Sequence, residues 1–230
     1  MKKALHLTVV VLILSVVGIA QNQNKEIANA AKTAQKATRA LDEIMAIRDK
    51  AIPADLLRKA KAVAVFPGVI KGAFILGGQG GKGFIVQRVG NVWGAPTLFK
   101  LGGGSVGLQI GGSSTDVVML FMTEKSVKNL LEDKFEIGGE VSAVAGPIGR
   151  TAKASTDAQL QAGILSYSRA KGLFAGLSAS GVVLSPDDDA NRALYSHSAK
   201  ELLSGAVLQP PVVIPPATRP FQQAVVRYTR

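Results

Sequence analysis

Val117-Val118-Met119-Leu120-Phe121-Met122 is a run of six apolar side chains with no polar residue between them. A strand with one wet face alternates apolar and polar residues, whereas an unbroken run is covered on both faces. The run therefore reads as a central strand. On its N-terminal side, short apolar segments at Ala62 to Phe66, Ala73 to Leu76, Phe84 to Val89, Val92 to Leu101 and Val106 to Ile110 are separated by glycines, as expected of neighbouring strands. On its C-terminal side, Thr123 is placed to cap a helix over Glu124 to Asp133, with Ser126, Val127, Leu130 and Leu131 on one face. Further strands are predicted around Phe135 to Ala145, Gln161 to Tyr167 and Leu173 to Leu184, then a helix from about Asp188 to Leu203.

Of the 25 glycines, 23 fall between Gly68 and Gly181, inside this strand-rich region. Glycine weakens an ordinary strand, so such density implies bulges, tight bends or close backbone approach, as a curved, barrel-like sheet requires. The fold class read from these features is α+β, with a curved, mostly antiparallel, Gly-rich sheet and helices packed on it.

At the amino terminus, Lys2 and Lys3 precede an uncharged apolar run from Ala4 to Ala20, which ends Gly18-Ile19-Ala20 before polar Gln21-Asn22-Gln23-Asn24. This pattern is that of a secretory signal peptide over residues 1–20; the competing reading is an uncleaved membrane anchor. The body of the domain then spans 21–208 and a Pro-rich tail 209–230, in which Phe221 to Tyr228 can dock back as a short helix. The pattern implies export, to a periplasmic or envelope-associated location or to the exterior.

From Lys25 to Lys50, Ile27, Ala30, Ala34, Ala37, Leu41, Ile44 and Met45 recur at steps of three and four, the spacing of an amphipathic helix. Lys25, Lys32, Lys36 and Arg39 share its other face. Ile52-Pro53 ends this helix, and Pro53 to Ala60 reads as a second, short one.

The 230 residues carry 27 Lys+Arg against 16 Asp+Glu and no cysteine. One globular domain fits, and disulfides, thiolate zinc sites, cysteine nucleophiles and a lipidated cysteine are excluded. The remaining motifs are weak. Gly78-x-Gly80-x-x-Gly83 and Gly102-x-Gly104-x-x-Gly107 match a dinucleotide fingerprint but run on into strand, where a helix is needed to face the pyrophosphate. Gly81-Lys82-Gly83 lacks the flanking residues of a phosphate loop. His197 has no Gly-x-Ser-x-Gly elbow to serve, and Asp187-Asp188-Asp189 sits at a helix start, where acids complement the dipole. No catalytic residue, metal site or cofactor is predicted.

Charge is the more informative feature. From Leu56 to Thr115 there is no acidic residue, while Arg58, Lys59, Lys61, Lys71, Lys82, Arg88 and Lys100 are positive. Soluble surfaces usually intersperse both signs, so an anionic partner is expected. Nucleic acid is disfavoured by export and by few aromatic residues for stacking. Anionic phospholipid, lipid phosphate or an acidic polymer remains, and the Pro-rich tail offers a docking segment for a protein partner.

Several long signatures in one order strengthen this reading: Ile52-Pro53 with Leu56-Leu57 and Ala60-Lys61; Lys71-Gly72 with Gly80-Gly81-Lys82-Gly83; Trp93-Gly94-Ala95-Pro96; and Gly102 to Gly111 leading to Asp116. Ala145 to Arg150, Tyr167 to Gly176, and Asn191 with Tyr195 complete them. From about Lys25 to Gln209 the chain resembles the SYLF domain family, lipid-binding modules of bacteria and of eukaryotic endocytic proteins, some of which also bind actin. The resemblance implies a non-enzymatic module that binds acidic phospholipid through an amphipathic N-terminal helix and basic residues. Carried over, that role falls on the Lys25 to Lys50 helix, with Lys32, Lys36 and Arg39 as its candidates, and on Lys61, Lys71 and Lys82; the acid-free stretch adds Arg58 and Lys59. Insertion of the amphipathic helix is a second contribution expected. Export would put phosphoinositides and actin out of reach and favour phosphatidylglycerol, cardiolipin or lipid phosphates.

Overall fold

The computed structural model describes residues 2–47, 51–72, 77–105, 113–138, 141–148, 162–170, 173–176, 181–204 and 212–230. Ten strands form a single sheet among them: β1 (Ala62–Gly72), β2 (Gly77–Val89), β3 (Val92–Trp93), β4 (Thr97–Ser105), β5 (Ser113–Phe121), β6 (Phe135–Ile137), β7 (Ala143–Ala145), β8 (Ile164–Ala170), β9 (Leu173–Gly176) and β10 (Val182–Pro186). The order is β6-β10-β4-β2-β1-β5-β8-β7, with β3 on β2 and β9 on β8. Every pairing is antiparallel except the parallel β7–β8 pair. The helices are α1 (Lys2–Met45), α2 (Ala54–Lys59), α3 (Glu124–Lys128) with a 3-10 turn at Asn129–Leu131, α4 (Asp188–Tyr195), α5 (Ala199–Leu203) and α6 (Arg219–Tyr228).

β5 lies between β1 and β8, as its unbroken apolar run requires. Val118 and Leu120 face one core, and Val117, Met119 and Phe121 the other. β1 divides in the same way, with Val63 and Val65 against Ala62, Ala64 and Phe66. The first core is the helix-covered outer face, where Ala30, Ala34, Ala37, Ala40, Leu41 and Ile44 of α1 and Phe221, Ala224 and Val225 of α6 meet the sheet. The second is interior. It joins Phe135 and Ile137 from one end of the strand order with Ala143 and Ile164 from the other, so the sheet curls into a nearly closed barrel. The α+β class and the curved, mostly antiparallel sheet follow the sequence reading.

The glycines work at specific points. Gly68 adopts a positive φ of 62° within a bulge of β1, where the register shifts against both β2 and β5. Its N–H donates to Asp116 Oδ1 at 2.8 Å, and Asp116 Oδ2 accepts from Arg169 Nη2 at 2.6 Å. Arg169 also pairs with Glu43, which ties the bulge to α1. At Gly83 the chain passes so close to β1 that an added Cβ would lie 2.7 Å from Phe66 Cα and closer still to the Val65 carbonyl oxygen.

Several segments depart from the sequence expectations for local reasons. Val92 to Leu101 is interrupted at Gly94-Ala95-Pro96, since Pro96 has no N–H for a ladder and its carbonyl accepts from the Tyr195 hydroxyl instead. The helix expected from Asp188 to Leu203 is two helices. Ser196 takes a left-handed conformation (φ 61°) that ends α4, and a Ser198–Glu201 capping box starts α5. Phe135 to Ala145 and Leu173 to Leu184 each contain two strands, in different parts of the sheet. Thr123 does cap α3, reciprocally with Ser126. The tail's last helix, α6, buries Phe221, Ala224 and Val225 and belongs to the outer core. Ala73 to Leu76 and Val106 to Ile110 lie outside the described residues, as does the expected end of the first helix at Lys50.

Two alanine substitutions on one strand test the close approach. Gly83→Ala is expected to destabilise the protein by about 2–3 kcal/mol in urea unfolding, because backbone must move. Gly78→Ala, whose added Cβ meets nothing within 4 Å, is expected to stay within about 0.5 kcal/mol of the parent.

Candidate functional site: the cationic surface

Burial of Ala30, Ala34, Ala37, Leu41 and Ile44 fixes the rotation of α1 about its axis. Lys25, Lys32, Lys36 and Arg39 then face away from the sheet, and all four are exposed. Fourteen residues of helical rise spread this row over about 21 Å. The acids at the end of the helix do not balance it. Asp42 Oδ1 accepts from Arg227 Nη2 at 2.5 Å and from the Tyr228 hydroxyl at 2.8 Å, while Glu43 pairs with Arg169. Burial and the Asp42 contact together raise the pKa of the Tyr228 phenol. Among the described residues, Lys32, Lys36 and Arg39 have no ion-pair partner.

The cations of the acid-free stretch are placed differently. Arg58 pairs with Asp55 one turn earlier on α2. Lys61 Nζ lies 3.1 Å from Glu124 on α3. Lys82 and Lys100 stand directly opposite each other on β2 and β4, and both reach one carboxylate, at 2.6 Å and 3.0 Å: that of Asp187, which is 2% exposed. Like charges at a cross-strand position repel, so the buried acid is what allows this pair. Lys59 is exposed without an ion partner among the described residues, and the Lys71 side chain lies outside them. The expectation that sixty acid-free residues make an unbalanced surface is therefore corrected. Asp55, Glu124 and Asp187 come from outside the stretch and meet it in space. Of the eight predicted residues the structure brings Lys32, Lys36 and Arg39 together on one free face, while Arg58, Lys61 and Lys82 each face a carboxylate.

From Ala30 to Ile44 the apolar positions of α1 are buried in the outer core, while Lys32, Lys36 and Arg39 of the same segment are exposed.

Other polar groups that stand out in the sequence serve the scaffold. Asn191 accepts from Leu98 N–H at 2.8 Å and donates to Leu98 C=O at 3.0 Å, completing the edge of β4 as a strand would. The Tyr195 hydroxyl bridges the Pro96 carbonyl and Thr218, and burial pushes its pKa up. Trp93 Nε1 donates to Thr229 at 2.7 Å, which fastens the end of the chain. His197 Nδ1 donates to the Tyr195 carbonyl at 2.6 Å. Asp187 is the residue before α4, as the helix-start reading holds, but its side chain is directed to the lysines and not to the helix N–H groups. Gly78, Gly80 and Gly83 all lie within β2, which keeps them from a dinucleotide turn.

Comparison with known proteins matches residues 102–228 to the model of the family Ysc84, described as Las17-binding protein actin regulator. The chain belongs to the Ysc84 (SYLF) family. It is 38% identical over 173 residues to LAS seventeen-binding protein 3 of Saccharomyces cerevisiae, covering 73% of this chain and 38% of that protein. It is 35% identical over 188 residues to Protein YSC84 of the same yeast, covering 79% and 40%. The mouse SH3 domain-containing YSC84-like protein 1 is 32% identical over 186 residues, covering 78% and 54%. The chain thus spans between about two fifths and just over half the length of these relatives. The family description names a binding protein and actin regulator, and LAS seventeen-binding protein 3 is named for binding; none of these names states an enzymatic activity.

Asp187→Asn removes the charge that two opposed lysines share. It is expected to lower stability by about 1–2 kcal/mol, since both lysines keep partial solvation. Adding Lys100→Gln should recover part of this loss in a double-mutant cycle.

Proposed function

We propose that this SYLF chain is a non-enzymatic module that binds anionic phospholipid or lipid phosphate, using the outward face of α1 as its contact. The observation carrying this reading is the difference in pairing. Arg58, Lys61, Lys82 and Lys100 face the fold's own carboxylates, whereas Lys32, Lys36 and Arg39 are exposed in one row with Asp42 and Glu43 drawn away. Each Lys or Arg held near an anionic bilayer contributes about 1 kcal/mol, so a row of this size suits reversible, salt-sensitive attachment. No insertion of the packed helix face is needed. The apolar run from Ala4 to Ala20 continues as the same helix into this row. As a leader, it supports export to a bacterial envelope, where phosphatidylglycerol, cardiolipin and lipid phosphates are the available anions.

A second reading is favoured by the relatives, whose names point to protein partners. In it the same row, or the Pro-rich segment before α6, receives a protein. Val212 and Ile214 of that segment already pack against Ala95, Tyr195 and Leu202, which leaves the surface of α1 as the larger free contact.

Co-sedimentation with vesicles separates the two. Phosphatidylglycerol vesicles are expected to bind the protein and phosphatidylcholine vesicles not to, with binding lost at high salt. Lys32→Glu, Lys36→Glu and Arg39→Glu together should weaken binding at least about a hundredfold, with unchanged urea stability. Equal binding to both vesicle types excludes the lipid reading; capture of a protein from lipid-free envelope extract, lost in the same triple variant, supports the second.

A further inference from the structure

Among the described residues of the acid-free stretch, Arg88 is the cation that is partly buried and yet has no acid. It lies on β2 directly opposite Trp93 of β3, with its guanidinium carbon 4.4 Å from the centre of the indole ring. The ring covers one face of the guanidinium and attracts its charge, but a guanidinium donates in its plane, not through its face. Nε and Nη2 are both buried without a hydrogen-bond partner among the described residues. These two nitrogens form one edge of the group, the edge that meets two oxygens of a phosphate or carboxylate in parallel N–H···O bonds. The acids of neighbouring elements are engaged elsewhere: Asp55 with Arg58, Glu124 with Lys61, Asp42 with Arg227. Gln87 Oε1 is also unpartnered, but as the next residue on the strand it projects to the opposite face of the sheet.

We infer that the Nε–Nη2 edge of Arg88, backed by Trp93, is an oxyanion site, and that it takes the phosphate group of a small ligand or lipid headgroup. The fork supplies two charge-assisted bonds and the indole holds the guanidinium plane in place; other atoms of the side chain reach solvent while Nε and Nη2 are covered, so a ligand has to displace what overlies the fork. The Arg88 backbone N–H donates to the Lys61 carbonyl at 2.7 Å, which fixes the strand position that carries the fork. The site is separate from the row on α1 and does not depend on that row binding membrane.

Trp93 is the single tryptophan of the chain, so its emission reports this site alone. Inorganic phosphate and sn-glycerol 3-phosphate are titrated against the full chain, followed by phosphatidylglycerol vesicles. The expected result is a saturable change in Trp93 emission that is lost in Arg88→Gln and at least about tenfold weaker in Arg88→Lys, which keeps the charge without the fork. The variant with Lys32→Glu, Lys36→Glu and Arg39→Glu should respond to the soluble phosphates as the parent does, which separates failure of this site from failure of the α1 row. A response to soluble phosphates identifies a free ligand, and a response to vesicles alone identifies a headgroup. No saturable response to any of the three probes, or an equal response in Arg88→Lys with its urea stability intact, overturns the assignment.

Discussion

The close approach of α1 to the outer face of the sheet is the constraint on which the rest depends. Ala30, Ala34, Ala37 and Ala40 let the backbone of α1 lie close to β1, β2, α4 and α6, and with Leu41 and Ile44 they share one core with Val63, Val65, Phe84, Val118 and Leu120. A barrel-like sheet with an apolar exterior needs such a cover, and small residues provide it over several turns without gaps. Two charge contacts set the end of the helix: Asp42 with Arg227 and Tyr228 of α6, and Glu43 with Arg169 of β8. Because one face of α1 is committed to the core, the direction of the cationic face is decided by the packing, and function can be read from the side left over.

Interior and exterior are also linked through the β1 bulge. Gly68, Asp116, Arg169 and Glu43 form a chain of contacts from a left-handed backbone position to the covering helix. Asn191 and Tyr195 do the same for α4, holding Leu98 and Pro96 at the break between β3 and β4. Many residues that carry the SYLF resemblance are therefore scaffold: Asp116, Arg169, Asn191, Tyr195, Trp93 and Gly83 hold backbone in place. This explains why the family resemblance forecasts the fold more securely than the ligand.

Local physics was legible in the chain. Val117 to Met122 announced a two-sided strand, the spacing of Ala30 to Ile44 a packed helix, and Thr123 the cap of α3, because each depends on neighbours in sequence. What depended on distant partners was not. The stretch from Leu56 to Thr115 looked unbalanced because Asp187 and Glu124 approach it only in the folded chain. The split between α4 and α5 turns on a left-handed Ser196, which no residue preference announces. Arg88 was legible only as one of the seven cations of the acid-free stretch, since nothing near it in sequence tells it apart from those that meet a carboxylate in the fold. The row on α1 was visible because helical period and charge spacing coincide there.

The central claim is that α1 stays docked by its alanine face while its outer face meets the anionic partner. The absence of cysteine makes this directly measurable by thiol labelling of two variants, Ala37→Cys on the buried face and Gln35→Cys on the exposed one. With phosphatidylglycerol vesicles present, the thiol of Ala37→Cys is expected to stay as protected as it is in free solution, while that of Gln35→Cys, reactive without vesicles, becomes shielded. Exposure of the Ala37→Cys thiol on vesicle binding would show that the helix leaves the sheet and would contradict the account.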